Sequence, residues 1–134
     1  MFDVSADACN AMKAKGAQVF GNTQELAKSS EFVITMLPNN DIVTRTYEEM
    51  IKDGVNSNTL FVDSSTVDPG VSQYVQKIVK AAGASFVDAP VSGGVMGAQN
   101  ATLTFMVGGT TEEYEKVKGF LEGERDEIIF GVKI

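Results

Sequence analysis

LFVDSSTVDPGVSQYVQKIVKAAG, residues 60–83, carries a strand, its polar end and the start and stop of a helix. The apolar run Leu60-Phe61-Val62 gives way to Asp63-Ser64-Ser65-Thr66, and Asp68-Pro69 then supplies a helix N-cap with proline at the first helical position. Beyond it, Val71, Tyr74, Val75, Ile78, Val79 and Ala82 recur at the 3.6-residue period and share one face, and Gly83 suits the C-terminal cap. A strand followed at once by an amphipathic helix is the repeating unit of an α/β sheet.

The pattern extends in both directions. FVITML at 32–37 is an unbroken apolar run stopped by Pro38, which predicts a strand buried on both faces and hence a parallel sheet. Residues 41–52 read as a helix with Ile42, Val43, Tyr47 and Ile51 turned inward. Ser85 to Val87 and Leu103 to Val107 read as further strands, and Thr110-x-x-Glu113 has capping-box spacing ahead of Tyr114, Val117, Phe120 and Leu121. Upstream, Ser5 caps a helix running to about Lys15 and ended by Gly16, and Asn22 or Thr23 caps a shorter one to about Lys28. Met1-Phe2-Asp3-Val4 looks like the last residues of a strand that ends in an acid. The expectation is a single α/β domain of 134 residues, Rossmann-like, with a mainly parallel sheet and helices on both faces.

Composition removes several classes of function. A formal charge of −7 argues against nucleic acid or an anionic membrane as partner, because both draw on clustered Lys and Arg. Histidine is absent, which excludes Ser-His and Cys-His nucleophile pairs and leaves acid–base work to Lys, Asp, Glu or Tyr. The lone Cys9 provides neither a disulfide framework nor a cysteine-based zinc site and reads as helix packing. No apolar run approaches the roughly 18 residues of a membrane-spanning helix, and the first residues read as neither a basic leader nor an apolar signal core.

In open α/β sheets, ligands bind beyond the carboxyl ends of the strands. Those ends are Asp3, Met36-Leu37-Pro38-Asn39, Asp63-Ser64-Ser65-Thr66 and Asp88-Ala89-Pro90-Val91-Ser92-Gly93-Gly94. An acid such as Asp3 either binds the ribose hydroxyls of an adenine dinucleotide or merely caps the next helix. The Asp63–Thr66 cluster either meets a ligand ribose or satisfies the strand end. Ser92-Gly93-Gly94 bares enough backbone N–H to form a concave site for a carboxylate, and a plain loop-forming glycine pair explains it equally well. Tyr47, Tyr74 and the methionines read as packing.

TMLP at 35–38, FVDSSTVDP at 61–69, FVDAPVSGGVMGA at 86–98 and TLTFMVGG at 102–109, in this order and at these separations, closely resemble the β-hydroxyacid dehydrogenase family. The resemblance covers about residues 1–121 and implies oxidation of a small 3-hydroxy acid to its semialdehyde by hydride transfer to NAD, usually in mitochondria in eukaryotes. It further implies that Asp3 contacts the adenosine ribose, that Leu37 and Pro38 line the cofactor cleft, that Thr66 sits by the nicotinamide half, and that Ser92, Gly93 and Gly94 hold the substrate carboxylate. Asp88, Pro90 and Gly97 then set the shape of that loop.

The sequence departs from the family pattern in two places. The resemblance places a Gly-x-Gly-x-x-Gly pyrophosphate turn before Asp3, where only Met1 and Phe2 stand, and a catalytic lysine on a long helix leading to an all-helical domain after the Rossmann part. EGERDEIIFGVKI at 122–134 does not match the approach to that helix, so Lys133 is not assigned as the base. On this reading the chain lacks the family's first βα unit and its C-terminal all-helical domain. The expectations are that residues 32–121 keep their βαβ arrangement while residues 1–30 dock poorly or differently, and that no catalytic lysine is present. A full-length homologue is then a candidate partner, alongside the small 3-hydroxy acid substrate.

Overall fold

Side-chain caps at Ser5, Asn22, Asn39 and Thr110 open four of the helices directly after the preceding segment. The computed structural model describes residues 1–121 and 127–132. Helix α1, Ala6–Ala14, starts where the Ser5 hydroxyl accepts from the Ala8 N–H, and α2, Thr23–Lys28, starts at Asn22, whose side chain accepts from Glu25 N. Strand β1, Phe32–Thr35, leads to α3, Asn40–Ile51, capped by Asn39. Then come β2, Leu60–Asp63, and α4, Pro69–Ala81, with Asp68 at the N-cap position and proline just inside. Strands β3, Ser85–Asp88, and β4, Val91–Ser92, precede the short helix α5, Gly94–Gln99, and β5, Thr104–Gly109. Helix α6, Thr111–Leu121, and β6, Glu127–Val132, complete the described residues. Lys133 lies outside them.

Six strands form one sheet in the order β1-β2-β3-β5-β4, with β6 on β5. The expected parallel βαβ units hold for β1–β2 and β2–β3, and β6 is parallel to β5. The sheet is nevertheless mixed, because β3 and β4 both run antiparallel to β5, with Asp88 opposite Gly108 and Val91 opposite Phe105. The stretch between β4 and β5 holds only the single turn and a half of α5, too little for the crossover that a parallel connection requires. Neither β4, α5 nor β6 is visible in the sequence pattern. Each is short or lacks an apolar period of its own.

Alternation along the central strands divides the core into two layers, one on each face. Phe61 and Phe86 face α3 and α4 with Val33, Val43, Tyr47, Met50, Val75 and Val79. Leu60, Val62 and Val87 face the other way, toward α6, with Phe105, Val107, Val117 and Leu121. Helices therefore cover both faces, as expected for a Rossmann-like domain.

Four sequence expectations need correction. Strand β1 is not buried on both faces: Val33 and Thr35 are buried, but Ile34 is 50% exposed and Met36 66%. β1 lies at the edge of the sheet, and on that face Phe120 of α6 stacks on Phe32, ring centroids 4.2 Å apart, while Ile34 and Met36 stay exposed. Tyr74 leaves the inner face of α4, and its hydroxyl donates to Glu48 on α3. In α3, Met50 is buried with Val43 and Tyr47, while Ile42 is partly exposed. At the N-terminus, residues 1–4 form no assigned strand. The Met1 amino group donates to the Gln18 carbonyl, Phe20 N donates to the Met1 carbonyl, and α1 buries none of its residues.

Candidate functional site

The parallel register puts Thr35, the last residue of β1, beside Asp63, the last of β2. Thr35 Oγ1 donates to Asp63 Oδ1 at 2.9 Å, and the same oxygen accepts from Ser65 N at 3.1 Å and Ser65 Oγ at 2.6 Å. A carboxylate is an acceptor only, so it fixes the direction of every bond around it. Since Thr35 and Ser65 both donate their hydroxyl hydrogens to Asp63, the Tyr47 hydroxyl donates to Thr35 Oγ1 at 2.7 Å, and Ser65 Oγ accepts from Leu37 N at 2.9 Å. Burial, followed by the charge on Asp63, pushes the Tyr47 hydroxyl well above its ordinary pKa, against the opposing bond to Thr35, which keeps it a donor at neutral pH.

This network decides what the polar strand end does. Asp63, Ser64 and Ser65 are all buried; Asp63 and Ser65 satisfy the strand end through these bonds, whereas the Ser64 hydroxyl has no hydrogen-bond partner among the described residues and lines the apolar hollow beside Gly94. Thr66 alone of the cluster is exposed. It faces a cleft of about 480 Å³ with Pro38, Asn39 and Asn40. A second fastening crosses the cleft rim: Asn40 Nδ2 donates to Asp68 Oδ2 at 2.7 Å, and Asp68 N donates to Asn40 Oδ1 at 3.1 Å. Asp68 therefore pairs with α3 and makes no side-chain cap on α4.

Pro38 also lines the adjoining groove, of about 320 Å³, with Leu37, Asp3 and Phe2 against the outer edge of β1. Asp3 is exposed there. Its Oδ1 accepts from Ser5 N at 2.7 Å, so the helix-capping role is present while the carboxylate still faces the groove. Asp3, Leu37, Pro38 and Thr66 thus ring the carboxyl ends of β1 and β2.

Ser92 lies in β4 opposite Thr104 and is exposed. Gly93 and Gly94 take φ of +133° and +60°, open α5, and stand at its N-cap without a side-chain cap. Gly94 lines an apolar hollow of about 400 Å³ with Ile34, Met36, Ser64 and Leu103. Ile34 and Met36 also line the groove that holds Asp3, so the glycine pair and the Asp3 side adjoin at the same end of the sheet. Gly97 is buried, and a β-carbon there would meet Leu103 Cδ2 at 3.1 Å, which accounts for the shape-setting part given to it.

Sequence reading placed Ser65 here as part of the Asp63–Thr66 cluster but missed Tyr47, Thr35 and the Asn40–Asp68 pair as members of this end of the sheet. Their bonds span 12 to 28 residues in sequence and exist only once β1 and β2 are in register.

Residues 1–129 match the family described as the NAD binding domain of 6-phosphogluconate dehydrogenase. The chain belongs to this family. NAD is accordingly the cofactor of the domain. The NAD-binding domain is 60% identical over 122 residues to the mitochondrial 3-hydroxyisobutyrate dehydrogenase of Drosophila melanogaster, an alignment that covers 91% of this chain and 38% of that protein. It is 40% identical over 123 residues to the human mitochondrial enzyme of the same name, covering 90% of this chain and 37% of the relative. Among solved structures, it superimposes on the Mycobacterium tuberculosis 3-hydroxyisobutyrate dehydrogenase solved with L-serine, with a TM-score of 0.92 at 37% identity, over 98% of this chain and 45% of that one. The NAD-binding domain therefore spans less than half the length of these relatives, which are hydroxy acid dehydrogenases.

Proposed function

We propose that this chain is the cofactor-binding part of a 3-hydroxyisobutyrate dehydrogenase, which oxidises 3-hydroxyisobutyrate to methylmalonate semialdehyde in valine breakdown. The observation that carries the proposal is the convergence of Asp3, Leu37, Pro38 and Thr66 on the carboxyl ends of β1 and β2, with Gly94 in the adjoining hollow. The 60% identity to the Drosophila enzyme supports the substrate, and the names of the relatives support a mitochondrial setting.

The residues fit the cofactor in kind. An exposed carboxylate at Asp3 accepts from ribose hydroxyls and repels a 2′-phosphate, which favours NAD over NADP. Leu37 and Pro38 give the groove an apolar wall beside the open edge of β1, and the Thr66 hydroxyl serves the nicotinamide side. NAD, when bound, supplies the hydride acceptor. Ser92 and the N–H groups exposed at Gly93 and Gly94 hold the substrate carboxylate and so fix which carbon faces the cofactor. No residue of these 134 is assigned as the base that takes the hydroxyl proton, and the chain contains no Gly-x-Gly-x-x-Gly turn, so the 134 residues by themselves do not turn over.

Calorimetric titration of the folded chain tests the cofactor part. The expected result is heat with NAD, less with NADP, and a narrowed difference in Asp3→Ala; a folded sample that gives no heat with NAD overturns it. Reduction of NAD by the purified chain in the presence of 3-hydroxyisobutyrate overturns the claim that it lacks turnover. The exposed edge of β1 favours a second reading, in which the chain pairs with a full-length homologue, and failure to co-purify with that homologue removes it.

A further inference from the structure

Asp63 is the one buried charged side chain among the described residues, at 1% exposure. Burying a carboxylate is costly even when it is fully hydrogen-bonded, and packed apolar residues of similar volume usually serve stability as well or better. Its three donors at Oδ1 come from Thr35 and Ser65, and the described residues show no salt bridge to it. Stability is thus a poor account of why a charge stands here.

The bonds have a definite direction, and they end at the cleft. Tyr47, on α3, donates to Thr35, which donates to Asp63. Asp63 takes the Ser65 hydroxyl hydrogen, and this leaves the Ser65 oxygen as acceptor for the N–H of Leu37. Leu37 lies in the cofactor groove, and Ser65 immediately precedes Thr66 in the neighbouring cleft. The geometry points to Asp63, acting through Ser65, as a positioning residue that ties the backbone at Leu37 to the turn carrying Thr66 and so sets the width of the cofactor cleft. This rests on the cofactor reading above for its purpose, but not for its physical effect. Without the carboxylate, the Ser65 hydroxyl is free to rotate, and the Leu37 N–H loses an acceptor of fixed position.

The test separates the local effect from the cofactor reading. Amide hydrogen exchange of the unliganded chain is followed residue by residue in Ser65→Ala, Ser65→Thr and Asp63→Asn, and NAD affinity is measured by calorimetry in parallel. In Ser65→Ala, exchange at Leu37 is expected to accelerate about tenfold while Leu60 to Val62 is unchanged, and Ser65→Thr, which keeps the hydroxyl, restores the slow rate. Asp63→Asn keeps the shape but weakens the acceptor, and is expected to fall between. NAD binding weakens about fivefold in Ser65→Ala, the value of one ordinary hydrogen bond, and recovers in Ser65→Thr. Uniform acceleration across β2, or no change at Leu37, overturns the proposal and leaves the network as strand packing. Selective loosening at Leu37 with unchanged NAD affinity overturns the cleft-setting role. A wild-type chain without NAD heat overturns the cofactor reading, and the exchange pattern still decides whether Asp63 holds Leu37.

Discussion

A β-carbon built on Gly108 would stand 2.8 Å from Asp88 Oδ1, and one on Gly93 would meet Leu103 at 3.1 Å while its backbone sits at φ +133°. Gly119, on the exposed side of α6, has nothing within 4 Å. The three glycines therefore respond differently to the same substitution. Gly108→Ala and Gly93→Ala are each expected to cost roughly 1–3 kcal/mol, the first through the crowding of Asp88 and the second through backbone strain. Gly119→Ala is expected to stabilise by roughly 0.5–1 kcal/mol, because the glycine only adds freedom to the unfolded chain. Urea midpoints of the three variants would show this ordering, and a destabilised Gly119→Ala would contradict it. At this scale the sequence was legible wherever one residue's own chemistry decides. The bare backbone at Gly93 and Gly94 is such a case, since both positive φ angles are demands that glycine meets. Tyr47 was not legible, because a tyrosine in a helical apolar stripe looks the same whether or not a hydroxyl waits for it across the sheet.

Among the elements, α6 shows a sequence signal carried through to geometry. Thr110 N donates to Glu113 Oε2 at 2.9 Å, and Glu113 N donates to Thr110 Oγ1 at 3.2 Å, the reciprocal pair that the Thr110-x-x-Glu113 spacing predicts. Burial pushes the Glu113 carboxyl upward, but the Thr110 N–H and the nearby Lys80 outweigh it and hold the group below its ordinary value. A carboxyl with a lowered folded pKa stabilises the fold above its unfolded pKa, about 4.5, and this contribution disappears as pH falls through the folded value. The melting temperature of wild type should therefore exceed that of Glu113→Gln at pH 7, and the gap should narrow as the pH falls below 4.5 through the lowered folded value. A gap as wide at pH 3 as at pH 7 would refute the assignment. Strand β1 shows the opposite lesson. Its apolar run predicted burial on both faces, yet an edge position is set by which strands lie beside it, and the run itself holds no record of that. Ile34→Thr is accordingly expected to cost roughly 1 kcal/mol or less, against about 3–5 kcal/mol for Phe61→Ala in the enclosed layer.

For the whole molecule, stability is unevenly shared. The two apolar layers are built from β1 to β5 with α3, α4 and α6, joined on one face by Ala27 of α2, whereas α1 contributes no buried residue. Amides of α1 should exchange at least a hundredfold faster than those of β2 and β3, and equal protection would show that the N-terminal region is docked as firmly as the sheet. The alternation of strands and helices made the Rossmann-like class legible, including helices on both faces. The reversal at β5 was not, since it follows from the shortness of the α5 connection, and a six-residue helix opened by two glycines leaves almost no periodic trace. The same open edge that exposes Met36 gives the molecule a chemical marker. Met36 and Met96 are 66% and 65% exposed and Met50 only 1%, so mild peroxide should convert the first two thioethers to sulfoxides while Met50 remains intact until the domain unfolds. Mass spectrometry of those three peptides then reports, without any label, whether the β1 edge has been covered: a partner lying on it would spare Met36 and leave Met96 to oxidise.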